Sequence, residues 1–330
     1  MDDIDAHRFS VAPMIDWTDR YCRFFHRQLT QHTRLYTEMI VDEAILRGNV
    51  AYLLDFDPAE HPVALQLGGS DPQRLAAAAA VGAAWGYDEI NLNVGCPSDR
   101  VQSGRFGACL MQQPALVAEC IAAMAEAVSV PVTVKCRIGV DDQNPEDALP
   151  TFVERVAATG CTTFIVHARK AWLNGLSPKE NRTVPPLDYN LVSRLKVARP
   201  DLTIVLNGGI TSLDAAAEHL SEVDGVMLGR AAYERPALLA DVDRQFFGGP
   251  DRPLDRIAVI RTVAEHFDEA EVPLWRYGRH LLGLFHGCPG ARIWRRVLSE
   301  EGRASHANAQ WLVGVAEGIS SAPASLARAQ

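Results

Sequence analysis

An alternation repeated along most of the chain constrains its fold more than any other feature. Eight short β-type runs occur, Phe9–Met14, Arg34–Ile40, Pro62–Gly69, Glu89–Gly95, Val130–Gly139, Thr162–Arg169, Leu202–Gly209 and Gly225–Arg230. Helical patterning lies between them, over Asp71–Gly86, Pro114–Ser129, Pro145–Gly160, Asp188–Ala198 and Ser212–Val223. Several of these stretches open at Pro, Asp or Ser and close at Gly, as helix ends prefer. Eight βα units within about 250 residues predict a (β/α)8 TIM barrel, a fold of that typical size. A doubly wound sheet competes, but the chain lacks a G-x-G-x-x-G turn.

Beyond the eighth run the pattern changes. Pro253–Phe267, Leu274–Leu284, Arg292–Glu301 and a last segment from Asn308 read as helical, with no strand pattern. Gly248-Gly249-Pro250 suits a linker. The expected division is a barrel over 1–250 and a small helical domain over 251–330.

Strand side chains alternate faces with period two. The apolar set of each run belongs beneath the helices, so the remaining set faces the barrel interior. That interior set contains Gln66, Asn91, Asn93, Thr133, Lys135, Arg137, His167 and Arg169. Runs seven and eight end in Asn207-Gly208-Gly209 and Gly229-Arg230. Burying such groups without partners costs several kcal/mol, roughly, and barrel active sites lie at the C-terminal strand ends. A functional site is therefore expected there. Glycine-bearing ends after strands seven and eight suit a phosphate. FMN fits this pattern, and so does a sugar phosphate with Lys135 as a Schiff-base amine.

Composition narrows the class. The chain has 330 residues, 48% hydrophobic and 22% charged, which is ordinary for a globular protein. No apolar run is long enough to span a bilayer, and the acidic Met1–Asp5 start has no signal-peptide character. The expected location is the cytoplasm. Seven Cys without a CxxC pair argue against structural zinc and a disulfide framework, and no metal site is expected. The net charge of −9 at first speaks against nucleic acid. Residues 251–330, however, hold ten Arg, no Lys and nine acids, a net of +1, which leaves −10 on the first 250.

The motifs together resemble the tRNA-dihydrouridine synthases, most closely their A subfamily. They are Ser10-Val11-Ala12-Pro13-Met14, Leu35-Tyr36-Thr37-Glu38-Met39, Ala64-Leu65-Gln66-Leu67-Gly68-Gly69 and Asn91-Leu92-Asn93-Val94-Gly95-Cys96-Pro97-Ser98. Phe106-Gly107-Ala108-Cys109-Leu110, Val132-Thr133-Val134-Lys135, Val166-His167-Ala168-Arg169 and Leu206-Asn207-Gly208-Gly209-Ile210 continue the series. Leu176-Ser177-Pro178-Lys179-Glu180-Asn181-Arg182 with Pro185-Pro186-Leu187 marks the subfamily.

The resemblance implies an FMN enzyme, re-reduced by NADPH, that reduces uridine at positions 20 and 20a of the tRNA D-loop. It implies that Pro13, Met14 and Ile15 line the flavin and that Gln66 bonds its ring. Lys135 and His167 contact the cofactor, while Asn207, Gly208, Gly209, Gly229 and Arg230 hold its phosphate end. Cys96 is the implied proton donor, and Asn93 touches the target base. Lys179, Glu180, Asn181 and Arg182 follow strand six, and Arg292, Arg295 and Arg296 lie in the tail. All seven are expected to meet tRNA, the one partner implied; no obligate protein partner is evident.

The chemistry suits these residues. The C5=C6 bond of uracil is conjugated to the C4 carbonyl, so hydride from flavin N5 goes to C6 and C5 then needs a proton. A thiol of ordinary pKa, about 8.5, is mostly protonated at neutral pH and can supply it. Cys109, in the same loop, competes for this role, whereas Cys136 and Cys161 read as structural. Rival readings are a flavin-dependent reductase of free pyrimidines, a class I aldolase using Lys135 and a non-catalytic RNA binder.

Overall fold

The structure is a computed structural model that describes residues 6–321; the acidic Met1–Asp5 and the chain end beyond 321 lie outside the described residues. All eight expected strands form. They are β1 (Phe9–Val11), β2 (Leu35–Val41), β3 (Val63–Gly68), β4 (Glu89–Val94), β5 (Val132–Arg137), β6 (Thr163–His167), β7 (Thr203–Asn207) and β8 (Gly225–Leu228). Every pairing is parallel, in the order β1-β8-β7-β6-β5-β4-β3-β2. A parallel bridge between Ser10 and Arg34 brings β1 beside β2. The fold is a (β/α)8 TIM barrel, and the doubly wound alternative does not form.

Helix ends follow local chemistry. Asp71 accepts the Arg74 N–H and opens Pro72–Trp85, which Gly86 closes at φ +106°. Asn144, Asp188 and Ser212 cap the helices Pro145–Ala157, Tyr189–Ala198 and Leu213–His219 in the same way. Leu65, Ile90, Leu92, Val94 and Val134 are fully buried and form the apolar face beneath the helices. Gly82 marks the closest approach of helix to strand, since a Cβ there would stand 2.4 Å from Leu65. Inside the barrel, Ala12, Tyr36, Ala64, Ile165, Val205 and Met227 form an apolar layer.

The chain divides into two compact units. One comprises residues up to Asp16 together with Arg34–Gly229, and the other Trp17–Thr33 with the chain from Arg230. The division therefore falls at Gly229, not near 250, and the β1–β2 connection belongs to the helical unit. Gly248, at φ +66°, is the left-handed C-cap of the helix Val242–Phe247, so the Gly-Gly-Pro cluster ends a helix within that unit. Specific contacts explain the captured segment. Asp243 accepts from Thr30 Oγ1 (2.7 Å), Gln31 N (2.6 Å) and His32 N (3.1 Å). Phe24 stacks on His266 at 3.8 Å, and Asp19 pairs with His280 and Arg279.

The longest helices of the unit are Arg256–Glu269, Ala291–Glu301 and Ala309–Ser321, and the short helix Leu274–Gly278 lies between the first two. The expected Leu274–Leu284 helix stops at Gly278 and resumes as a 3-10 turn, Leu281–Gly283. Among the described residues no helix is long and apolar enough to cross a membrane.

Three hydrogen bonds to one carboxylate make Asp243 the clearest hold on the 17–33 segment. Asp243→Ala is expected to destabilise the helical unit by about 2–3 kcal/mol, read as a lower urea midpoint. An unchanged midpoint would show that aromatic packing alone holds the segment.

Candidate active site

Strand four carries Glu89, Asn91 and Asn93 at every second position, so all three enter the barrel interior. They form the spine of a continuous polar ladder. Asn91 Nδ2 donates to Thr133 Oγ1 (2.7 Å), and Gln66 Nε2 donates to Asn91 Oδ1 (2.8 Å). Asn93 Nδ2 donates to Gln66 Oε1 (2.8 Å). Asn93 Oδ1 accepts the main-chain N–H groups of Gly95 (3.1 Å) and Cys96 (3.0 Å). The turn that carries Cys96 is therefore held by a side chain from the strand below it.

The loop beyond folds back on Cys96. Gly107 adopts φ +75°, and a Cβ there would stand 2.6 Å from the Cys96 carbonyl oxygen. Ala108 N–H donates to that same oxygen at 2.9 Å. The Cys96 thiol is half-buried and lies 3.5 Å from Ser98 Oγ. Cys109 instead donates to the Phe106 carbonyl (3.1 Å), and burial raises its pKa. Cys136 and Cys161 are buried, and desolvation pushes both up to about 12. Of the loop thiols, Cys96 is the one whose sulfur contact is a flexible hydroxyl.

Beside the ladder, where Lys135 on β5 is the register partner of Asn93, the mouth is cationic. Lys135 Nζ donates to Asn207 Oδ1 (3.0 Å), and Asn207 Nδ2 donates to the Met227 carbonyl (2.8 Å). Lys135 keeps some solvent access, yet burial of its amine, followed by repulsion from Arg137, lowers its pKa to about 8. Arg137 donates to the carbonyls of Gly95 (3.1 Å) and Asn181 (3.0 Å), and burial lowers its pKa to about 10. His167 is drawn well below 6.5, first by burial and then by Arg137, Lys135, Arg169 and Arg182. It is neutral at pH 7. Gly208 (φ +112°) and Gly209 (φ +72°) turn the chain after β7. A Cβ at Gly208 would stand 2.5 Å from the His167 ring. Across the mouth, Met14 Sδ lies 3.7 Å from the Cβ position of Gly229, and Ile15 is 52% exposed.

A held thiol, polar amides and cations bonded to neutral oxygens together suit an anionic ligand. Comparison with known proteins identifies the family. Residues 10–316 match the dihydrouridine synthase family. The chain belongs to that family. The tRNA-dihydrouridine(20/20a) synthase of Escherichia coli O6:H1 is 56% identical over 308 residues, 92% of each chain. Its counterpart in Salmonella typhimurium is 56% identical over 310 residues, 92% of this chain and 93% of the relative. That of Xanthomonas campestris pv. campestris is 55% identical over 297 residues, 90% and 89% respectively. Among solved structures, a 2-naphthoyl-CoA reductase complex superposes with a TM-score of 0.56 at 12% identity, over 72% of this chain and 50% of that one. That likeness concerns the fold alone. The chain is an enzyme of the oxidoreductase class to which this family belongs.

Several residues named from sequence meet around this mouth: Met14, Gln66, Asn93, Cys96, Lys135, His167, Asn207, Gly208 and Gly229. The loop after β6 needs a correction. Asn181 is fully buried, and its amide is taken up by Trp172 N–H and the carbonyls of Trp172 and Leu176. It staples the loop and cannot touch tRNA as expected. Lys179, Glu180 and Arg182 are exposed, and Glu180 is held by Ser177, whose hydroxyl and N–H lower its pKa. Arg292, Arg295 and Arg296 are exposed on the helix Ala291–Glu301, which the buried Trp294 anchors by donating to the Leu281 carbonyl (2.8 Å). Arg230 is exposed and opens the second segment of the helical unit.

The structure adds Arg137, absent from the residues first singled out as binding groups. Its inward position beside Lys135 was the available signal. It adds Gln102 too, whose Nε2 donates to the carbonyls of Pro97 (2.9 Å) and Leu173 (2.7 Å) and ties the β4 loop to the β6 loop. No sequence pattern announces that link.

The Lys135 amine is expected to be charged below about pH 8 and neutral above it. Its acylation by an amine-reactive ester, followed by mass spectrometry across pH, should show a midpoint there. Ordinary lysines titrate at about 10.4, and a midpoint in that range would contradict the desolvated environment.

Proposed function

We propose that this enzyme reduces uridine to 5,6-dihydrouridine in the D-loop of tRNA, at positions 20 and 20a, using FMN and NADPH. The observation that carries the reading is Cys96 held over a mouth whose cations hydrogen-bond to neutral oxygens. The donor set fits FMN. Lys135 and Arg137 favour a negatively charged phosphate or ring, and the Gly208–Gly209 turn admits close backbone approach. Asn207, Gly208, Gly209 and Gly229 would hold the phosphate end; Arg230 keeps that role as part of the proposal. Pro13, Met14 and Ile15 would line the ring, with Gln66, Lys135 and His167 as polar contacts. When bound, FMN supplies the hydride and is itself re-reduced by NADPH.

The chain's own residues do the remainder. Cys96 would deliver its proton to C5 of the base. Asn93 meets the pyrimidine edge beside it. Neutral His167 has both a donor and an acceptor nitrogen to offer. The base must leave its stack to reach such a mouth. The 251–330 region is proposed as tRNA-binding, with Arg292, Arg295 and Arg296 facing phosphates. Lys179, Glu180 and Arg182 on the exposed β6 loop are further candidates. This Arg face favours tRNA over a free pyrimidine, which has no phosphate backbone to engage.

Cys96→Ala is expected to purify with its flavin spectrum and tRNA affinity intact, and to lose at least about 100-fold in reduction rate. Full activity in that variant would remove the proton-donor role. A colourless wild-type protein that neither binds nor responds to FMN would remove the flavin reading. Neutralising Arg292, Arg295 and Arg296 together should weaken tRNA binding. The slope of log K against log[salt] should then fall by about 2–3. An unchanged slope would place the phosphate contacts elsewhere.

A further inference from the structure

The polar ladder runs in one chemical direction, and both of its ends fix that direction. Its upper end is the pair of main-chain N–H groups of Gly95 and Cys96, which can only donate. Its lower end is Glu89, a fully buried carboxylate on the floor of the barrel. Arg34 stands 3.1 Å from it and His7 3.5 Å. Tyr36 donates its hydroxyl to Glu89 at 2.7 Å, and burial holds that phenol well above 10, so it stays a donor. Thr133 donates its single hydroxyl proton to Glu89. Thr133 Oγ1 can then only accept from Asn91. Asn91 must turn its oxygen to Gln66, and Gln66 must turn its oxygen to Asn93. A carboxamide is ambiguous by shape alone, but here each orientation follows from its neighbours.

One consequence falls on the substrate. Asn93 Oδ1 is occupied by two main-chain N–H groups, and one N–H of its Nδ2 is given to Gln66. What remains for a ligand is the second Nδ2 hydrogen. Asn93 can thus offer a donor and has no free acceptor. We infer that the Glu89–Thr133–Asn91–Gln66 ladder positions Asn93 as an N–H donor to O4 of the target uracil, where negative charge collects during reduction. This inference rests on the proposed reduction of uridine.

The choice of O4 follows from position. Asn93 bonds the backbone of Cys96, the proposed donor to C5, and the carbonyl next to C5 is C4=O4. Reduction of the C5=C6 bond places a hydride at C6, which bound reduced flavin would supply. The C5=C6 π pair then moves towards C5 and is shared onto O4. Transfer of the Cys96 proton to C5 consumes that pair, and the thiolate regains a proton from solvent. An N–H aimed at O4 stabilises the charge while it exists, and a preorganised donor acts without reorganisation. The same polarity disfavours cytosine, whose 4-amino group would meet N–H with N–H. Glu89, Asn91 and Thr133 act through Asn93 and Gln66, so they are positioning residues.

Thr133→Val is close to isosteric and removes the acceptor that orients Asn91. Thr133→Ser keeps the hydroxyl and serves as the conservative control. With flavin content matched by absorbance, Thr133→Val is expected to lower kcat on tRNA about tenfold or more. Its tRNA Kd should stay within about twofold, and Thr133→Ser should stay near wild type. A second readout separates positioning from mere structural support. Placing 4-thiouridine at the target position weakens the acceptor at C4, so wild type should prefer uridine over it. That preference should shrink severalfold in Thr133→Val and persist in Thr133→Ser. Wild-type kcat in Thr133→Val overturns the inference, as does a fall in kcat with the uridine to 4-thiouridine ratio unchanged. If wild type itself leaves tRNA uridine unreduced, the proposed function fails and the inference with it.

Discussion

Strand alternation in a closed barrel is the constraint on which everything else depends. Every second side chain of eight parallel strands enters one shaft, so polar choices made far apart in sequence must satisfy one another inside it. Part of the shaft is filled by an apolar layer of Ala12, Tyr36, Ala64, Ile165, Val205 and Met227. Around and above it, Glu89, Thr133, Asn91, Gln66 and Asn93 are buried and hydrogen-bonded in series. Such a network is stable only when each member is satisfied. Its last acceptor therefore reaches the main chain of Gly95 and Cys96, and a requirement of the core becomes a positioned thiol.

The cationic side of the mouth follows a different rule. Lys135 and Arg137 are desolvated but bond to an amide oxygen and main-chain carbonyls, which orient them without neutralising them. Arg137 and Gln102 also join the β4 and β6 loops. The same groups that create an attractive potential for an anion thus hold the two loops that frame it. On the proposed function, flavin binding and presentation of Cys96 share this scaffold.

Much of this was legible in the sequence because period two is a local signal. It marks the inward set on each strand without knowledge of the partner strand, and so found Gln66, Asn93, Lys135 and His167. The C-terminal strand ends then followed from barrel geometry. What it could not give was pairing at a distance. Asn181 reads as an exposed polar loop residue, yet it is a staple, because its role depends on carbonyls five and nine residues away in a folded loop. The placement of residues 17–33 depends on Asp243, more than 200 positions on. The Gly-Gly-Pro cluster near 250 looked like a linker because a helix C-cap uses the same residues. The family resemblance supplied roles that spacing alone left open between a flavin and a Schiff base.

The net charge of −9 is uneven, with its cations in the tail all Arg. Arg292, Arg295 and Arg296 are exposed on one anchored helix, which suits an RNA partner despite the acidic total. The proposed activity is uridine reduction at a defined place in tRNA. The most direct measurement incubates the flavin-loaded protein with NADPH and unmodified tRNA, then maps dihydrouridine nucleotide by nucleotide. New dihydrouridine at positions 20 and 20a, dependent on NADPH, is the predicted result. Its absence from the D-loop, or its appearance only in free uridine, would contradict the account.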